Sequence, residues 1–259
     1  MQSDDLRLLV EKALLKCSRF LGYELRPSLP HQAGPIDILG LVIRDLMARQ
    51  KEIFFVQIGA HDGRTHDPIA PYVQKFHWRG LLVEPQPAVF AKLVEHYAGE
   101  PGLIFENVAV AEKEGSLILY CFKQATPEDH SSMLASTKRH YLQLNGDNVR
   151  DEPHPIEVPA VTLSSLLTKH RISQVDLLQI DTEGYDYPII KSLDFTRIKP
   201  QVVHFENNFM NSRQKTHCAD LFAAQGYALL DLGIDTIAVL QAKDSEFDTR
   251  IALSRVIRT

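Results

Sequence analysis

From residue 52 onward, short unbroken apolar runs alternate with stretches of helical periodicity, and this alternation constrains the fold more than any other feature. Ile53–Ile58, Gly80–Val83, Leu103–Val110, Val175–Ile180 and Gln201–Phe205 read as strands. Pro68–Phe76, Ala88–Tyr97, Leu163–His170 and Tyr187–Leu193 read as helices. Strands that are apolar on both faces must be covered on both faces. The alternation therefore predicts an α/β domain built on a mostly parallel sheet with helices on both faces. Tyr227–Leu232 and Thr236–Gln241 flank Gly233-Ile234-Asp235 and predict a closing hairpin. A chain of 259 residues accommodates one such domain with additions.

Two stretches fall outside this pattern. Residues 1–50 read as an N-terminal helical extension to a domain over residues 51–259. Leu6, Leu9, Val10, Ala13, Leu14, Cys17 and Leu21 recur at helical spacing over residues 4–21, and Ile36–Arg49 predicts a second helix. Pro27, Pro30 and Pro35 separate the two. Lys123–Pro159 is polar and carries Pro127, Pro153, Pro155 and Pro159, with only a short helical pattern around Met133–Leu144. It is expected to be an irregular insertion, either a lid in which Ser131, Ser132 and Met133 close over a ligand or a plain surface excursion.

Charge and composition narrow the function. Lys+Arg 28 against Asp+Glu 33 leaves a net charge of −5, so no overall basic field draws nucleic acid. Cys17, Cys121 and Cys218 are far apart, which argues against a disulfide framework or a cysteine metal site. No GxSxG elbow occurs, which disfavours a serine hydrolase. The start, Met1-Gln2-Ser3-Asp4-Asp5, lacks the basic region of a secretory signal, and no apolar run is long enough to span a membrane. A cytoplasmic protein is expected.

Chemistry-bearing residues gather where strands become loops. The first strand runs into Gly59-Ala60-His61-Asp62-Gly63, where glycine lets a ligand approach the backbone. Its Gly-x-x-x-Gly spacing differs from the Gly-x-Gly-x-x-Gly of dinucleotide cradles, which leaves a nicotinamide dehydrogenase as the weakest alternative. The second strand ends in Glu84-Pro85, placed to accept from the hydroxyls of an adenosine ribose. The fourth ends in Asp181-Thr182-Glu183-Gly184 and the fifth in Glu206-Asn207. If those two strands are neighbours, about 4.8 Å apart, Asp181 and Glu206 converge. His204 shares a strand face with Glu206 and is either a base or a packed core histidine.

These stretches resemble the FkbM family of S-adenosylmethionine-dependent methyltransferases. The resemblance is carried by Phe55-Val56-Gln57-Ile58-Gly59-Ala60, Trp78-Arg79-Gly80-Leu81-Leu82-Val83-Glu84-Pro85 and Asn107-Val108-Ala109-Val110. It is most specific at Val161-Thr162-Leu163 and Val175-Asp176-Leu177-Leu178-Gln179-Ile180-Asp181-Thr182-Glu183-Gly184, and it spans about residues 52–210. It implies a Rossmann-like, seven-stranded sheet whose last strand is antiparallel. It further implies that Gly59, Ala60, Asp62 and Gly63 hold the methionine part of S-adenosylmethionine. Glu84, with Pro85 beside it, would hold the ribose, and Asn107 and Val108 would flank the adenine. Outside the resemblance, Ser132 in the expected lid is a candidate to close over the cofactor. Gln57 stands where the family often has an acidic residue on the cofactor's amino group, so that contact lacks its charge.

Two readings of the acidic strand ends stay open. Catechol O-methyltransferase and its magnesium-dependent relatives carry metal ligands at the ends of the fourth and fifth strands. Asp181, Glu206 and Asn207 stand there and offer the all-oxygen set that a divalent cation such as magnesium prefers. Otherwise Asp181 contacts cofactor or loop backbone, and Asp181 and Glu183 serve as the acid–base groups, with His204 as a further candidate. The expected activity is O-methylation of a hydroxyl on a sugar or other small-molecule acceptor, and the alternative is a cofactor-binding or regulatory module on the same fold.

Overall fold

The computed structural model describes residues 37–122, 134–145 and 152–241. The expected helix over residues 4–21, and Ser131, Ser132 and Met133, lie outside the described residues. Glu52–Leu240 form one compact unit; the described residues of the other are 37–51 and Gln241.

In the smaller unit, α1 (Ile38–Arg49) begins at Asp37, whose side chain accepts from the Gly40 N–H at 2.7 Å. That bond satisfies one of the donors a first helical turn leaves open. Leu39, Val42, Ile43 and Leu46 form its buried stripe, as their spacing predicts.

The larger unit runs β1 (Phe54–Ile58), α2 (Ala70–Phe76), β2 (Arg79–Val83), α3 (Pro87–His96), β3 (Leu103–Glu106), β4 (Ala109–Val110), β5 (Gly115–Cys121) and β6 (Ala135–Ser136). It continues with α4 (Arg139–Asn145), β7 (His154–Val161), α5 (Leu163–Lys169), β8 (Leu177–Ile180), α6 (Asp186–Lys191), β9 (Val202–Glu206), α7 (Ser212–Ala224), β10 (Tyr227–Asp231) and β11 (Asp235–Leu240). Seven strands form the main sheet in the order β10-β11-β9-β8-β1-β2-β3. Its first five strands in chain order, β1, β2, β3, β8 and β9, pair in parallel, while β11 enters antiparallel between β9 and β10. This is the Rossmann-like methyltransferase arrangement implied by the resemblance, and the closing hairpin is where the turn residues put it.

Alternation along each strand sorts side chains between the faces. Val56, Ile58, Leu81, Val83, Leu178, Ile180, Val203 and Phe205 join one buried cluster with Leu163, Leu166 and Leu167 of α5, Ile189 and Ile190 of α6, and Cys218 and Phe222 of α7. On the opposite face Phe55 packs on Trp78, which stacks on Tyr72 of α2 at 5.9 Å between ring centres. Helices thus cover both faces, which is why the strands tolerate unbroken apolar sequence.

The sequence reading needs correction in the middle of the chain. Leu103–Val110 is not one strand. It divides at Asn107-Val108, where β3 ends the main sheet and β4 begins a second, four-stranded sheet of order β4-β7-β5-β6. The supposedly irregular 123–159 stretch contains β6, α4 and most of β7 among its described residues. β7 pairs antiparallel with β5 from His154 to Ala160, while its other edge is paired only at Ala160 and Val161. Prolines 155 and 159 can therefore sit in the strand where an absent N–H costs no ladder bond. Alternate residues Ile156, Val158 and Ala160 pack with Leu117 and Leu119 into a small core of their own. The helix α7 was not anticipated either. Its signal was present in Asn211 and Gln214, which form a reciprocal capping box. Among the described residues, no helix is long and apolar enough to cross a membrane.

Candidate active site

The carboxyl ends of β1, β2 and β8 open onto one cleft, and β4, β5 and the β6 segment form its far wall. Its empty volume, counted out into open solvent at the mouth, is about 820 Å³. Gly59, His61, Glu84, Pro85, Val108, Asp181, Thr182 and Glu183 line it, together with Leu117, Leu119, Leu134, Ala135 and Thr137 from the second sheet.

The turn after β1 is bound to the ends of its neighbours. The N–H groups of Gly59 and Ala60 both donate to the Val83 carbonyl, at 2.9 and 3.0 Å. Gly59 has φ +81°, and a Cβ there would lie 1.7 Å from the Asp181 carbonyl oxygen. Only glycine lets β1 pass that close to the end of β8. Asp62 serves the turn rather than the cleft. It accepts from the N–H groups of Arg64 and Thr65, at 3.0 and 2.7 Å, and from the Thr65 hydroxyl at 2.7 Å. Burial pushes its carboxyl up, but those hydrogen bonds outweigh burial and hold it at about 2. Gly63 packs against Leu93 and Tyr97, away from the cleft lining.

Glu84 lies where the sequence places it. Its two oxygens accept from the His61 N–H at 3.0 Å and the Gln86 N–H at 2.8 Å. Burial nevertheless pushes it up to about 7, because two backbone donors do not replace full hydration. Asn107 does not line the cleft. Its amide donates to the Glu84 and Pro85 carbonyls at 2.8 and 3.2 Å, and this latch aligns the strand ends so that Val108 reaches the lining. Gln57 is buried behind the site, and its Nε2 donates to Asp67 at 3.0 Å. Asp67, which the sequence reading missed, thus sets a carboxyl beside the uncharged Gln57. Its own pKa is raised by burial against hydrogen bonds from Gln57, Ile69 and Ala70.

Around β8 and β9 the carboxylates have fewer partners. Asp181 looks into the open cleft yet is ringed by protein, and burial and then the Asp186 and Glu183 carboxylates push its pKa well up. Glu183 is pushed to about 7 by burial and by Asp186. Glu206 is pushed to about 10 by burial and then by Glu183, Asp181 and Asp186, and its Oε2 is buried without a hydrogen bond. Asp186 accepts from the Thr182 hydroxyl through one oxygen, at 2.7 Å, while its other oxygen is buried without a partner. Glu183 has φ +51° and Gly184 φ +101°. A non-glycine residue held so costs on the order of 1–3 kcal/mol, a strain that the surrounding contacts must sustain.

His204 and Asn207 do not join this group. His204 is buried in β9, its Nδ1 lies 2.9 Å from Gln179 Oε1, and burial lowers its pKa to about 4, so it stays neutral. Asn207 Oδ1 accepts from Lys215 Nζ at 2.6 Å, and its Nδ2 donates to Thr236 at 2.8 Å. The oxygen expected to hold magnesium is therefore engaged by an ammonium group, which would repel a divalent cation. Among the described residues no group of three or more His, Cys, Asp or Glu is disposed to hold a metal ion. The ligand set Asp181, Glu206 and Asn207 does not fit the cation.

Residues 57–229 match the methyltransferase FkbM domain, and the chain belongs to that family of S-adenosylmethionine-dependent methyltransferases. No curated protein matches it. A solved methyltransferase FkbM from Methylobacillus flagellatus KT is 10% identical with a TM-score of 0.43, over 73% of this chain and 43% of that one, so this chain spans less than half its length. A human methyltransferase 10 domain containing protein is 10% identical with a TM-score of 0.41, over 92% of this chain and 96% of that one. The ribosomal protein L11 methylase from Lactobacillus delbrueckii subsp. bulgaricus is 12% identical with a TM-score of 0.41, over 86% and 91%. Family membership rests on the domain match, and these likenesses carry nothing about the acceptor.

Proposed function

We propose that the chain transfers the methyl group of S-adenosylmethionine to a hydroxyl of a sugar or other small molecule, with Glu183 as the general base. The cofactor supplies a methyl carbon activated by an adjacent sulfonium. The chain's residues fit such a ligand. Glu84 is a buried carboxylate whose two oxygens are held by backbone donors, and ribose hydroxyls offer it the further donors that burial has removed. Gly59 and His61 bound the cleft for the methionine part, and Pro85 and Val108 for the adenine.

The observation that carries the base assignment is the position of Glu183. It faces the cleft and titrates at about 7, so near neutrality it takes a proton readily while its ionised form is still present. A neutral hydroxyl is a poor nucleophile, and removing its proton as the carbon–oxygen bond forms is the help the reaction needs. The net charge of −5 supports a small acceptor over nucleic acid. Leu134, Ala135 and Thr137 support reading the 123–159 stretch as a wall or lid on the acceptor side. The test is conversion of S-adenosylmethionine to S-adenosylhomocysteine across panels of hydroxyl and amine compounds. Turnover with a hydroxyl compound that Glu183→Gln abolishes is the expected result. Turnover confined to amines would overturn the oxygen assignment.

A further inference from the structure

After β8 the chain turns through Glu183 at φ +51° and Gly184 at φ +101°. What holds it comes from the second sheet. Ser136, in β6, is 0% exposed. Its Oγ accepts from the Lys138 N–H at 3.2 Å and donates to the Glu183 carbonyl at 2.6 Å. Because the backbone donor occupies a lone pair of the hydroxyl, its proton is directed at Glu183. The contact is long-range, between residues 47 apart in sequence.

A second hold lies one residue further on. The ring of Tyr141, in α4, covers Gly184 so closely that a Cβ there would come within 2.5 and 2.6 Å of its edge atoms. The ring stacks on Phe209, just beyond β9, with centres 4.3 Å apart and planes 23° apart. Lys138 donates to the Tyr141 hydroxyl at 2.9 Å and lies over the same ring at 4.6 Å. Gly184 is thus required both for its φ and for the space its missing side chain leaves to the tyrosine.

We infer that Ser136 and Tyr141 are positioning residues for the reaction: together they clamp Glu183-Gly184 in the left-handed conformation that turns the Glu183 carboxyl into the cleft. The inference rests on the reading of Glu183 as the base. It gives the second sheet a part in the chemistry beyond walling the cleft, because its edge strand and following helix hold the loop after β8.

The test is a spectroscopic one that needs no acceptor. In protein carrying ¹³C-labelled glutamate, the Glu183 carboxyl signal is assigned by its loss in Glu183→Gln. Ser136→Ala and Tyr141→Ala should each move that signal toward the position of exposed glutamates, while Tyr141→Phe, which keeps the ring over Gly184, should leave it in place. Thermal midpoints recorded alongside show that each variant is folded. Should Ser136→Ala fail to fold, Ser136→Cys keeps the volume with a much weaker donor. A signal unmoved in either folded variant removes that residue from the assignment, and unmoved in both overturns it. Failure of the base reading shows differently: turnover retained in Glu183→Gln would overturn it while the signal still followed Ser136 and Tyr141.

Discussion

The two halves of the cleft hold their carboxylates in opposite ways. On the side of β1 and β2, Asp62 and Glu84 have backbone N–H groups aimed at them. On the side of β8 and β9, Asp186 and Glu206 each keep a buried oxygen without a partner, and Asp181, Glu183, Asp186 and Glu206 repel one another. In the first half each carboxylate is anchored by backbone donors, although burial still pushes Glu84 up to about 7. The second is an uncompensated group whose proton affinity is high, suited to taking a proton. The difference comes from mutual repulsion among the second half's carboxylates and from its two unpartnered buried oxygens, which add to burial even though Asp186 also accepts from the Thr182 N–H.

The harshest way to break this comparison is to force the halves apart where they touch. Gly59→Ala places a Cβ 1.7 Å from the Asp181 carbonyl oxygen at φ +81°. We expect it to destabilise the fold by about 4 kcal/mol or more, the scale reserved for strain and overpacking together, read as a fall in the urea midpoint.

Next in size is an effect confined to the second half. Glu183→Gln should lower methyl transfer by about 10²–10⁴-fold, the usual contribution of a general base, while calorimetry shows S-adenosylmethionine affinity almost unchanged. Equal losses of turnover and affinity would erase the distinction between the halves. Glu84→Ala tests the first half in mirror image. It should weaken cofactor binding by about 1.5–3 kcal/mol, the scale of a hydrogen bond to a charged group, and unchanged affinity in the folded variant would remove Glu84 from the ribose position.

The smallest effect sharpens the comparison through pH. Glu206 is raised from 4.5 to about 10 and Glu183 from 4.5 to about 7. From the unfolded value upward the folded chain therefore holds more protons than the unfolded one. The stability these groups contribute is complete below the unfolded value and is lost as pH rises toward 7 and, for Glu206, beyond it. Asp62 has the other sign. Lowered from 3.8 to about 2, its contribution is present above 3.8 and is lost as pH falls toward 2. The thermal midpoint of the ligand-free protein should thus fall between about pH 5 and about pH 9, and Glu206→Gln should flatten that slope by about 2–4 °C for each kcal/mol relieved. An unchanged slope would show that Glu206 is not held protonated by its neighbours.

What could be read in advance depended on how local its cause was. Buried parallel strands announce themselves as apolar runs, and loops at their carboxyl ends follow from the fold, so Gly59, Glu84, Asp181 and Glu183 were found on one cleft. The second sheet was missed because β5 and β7 are half-exposed ribbons, and Pro155 and Pro159 in β7 read as strand breakers. Their pairing joins Gly115–Cys121 to His154–Val161 across the intervening residues, and no short window of sequence contains both partners.

The roles within the loops show the same boundary. Residue type and place along the chain determined which groups stand at the strand ends, since a strand's end and its following glycine are set by neighbours a few residues away. Where each oxygen points was decided only in three dimensions. Asn107 became a latch on the Glu84 and Pro85 carbonyls, Asp62 the keystone of its own turn, and Asn207 the partner of Lys215 rather than a ligand. A polar side chain goes to whichever donor or acceptor the packed fold brings within about 3 Å, because leaving it unpaired inside costs more than any preference its sequence neighbours impose.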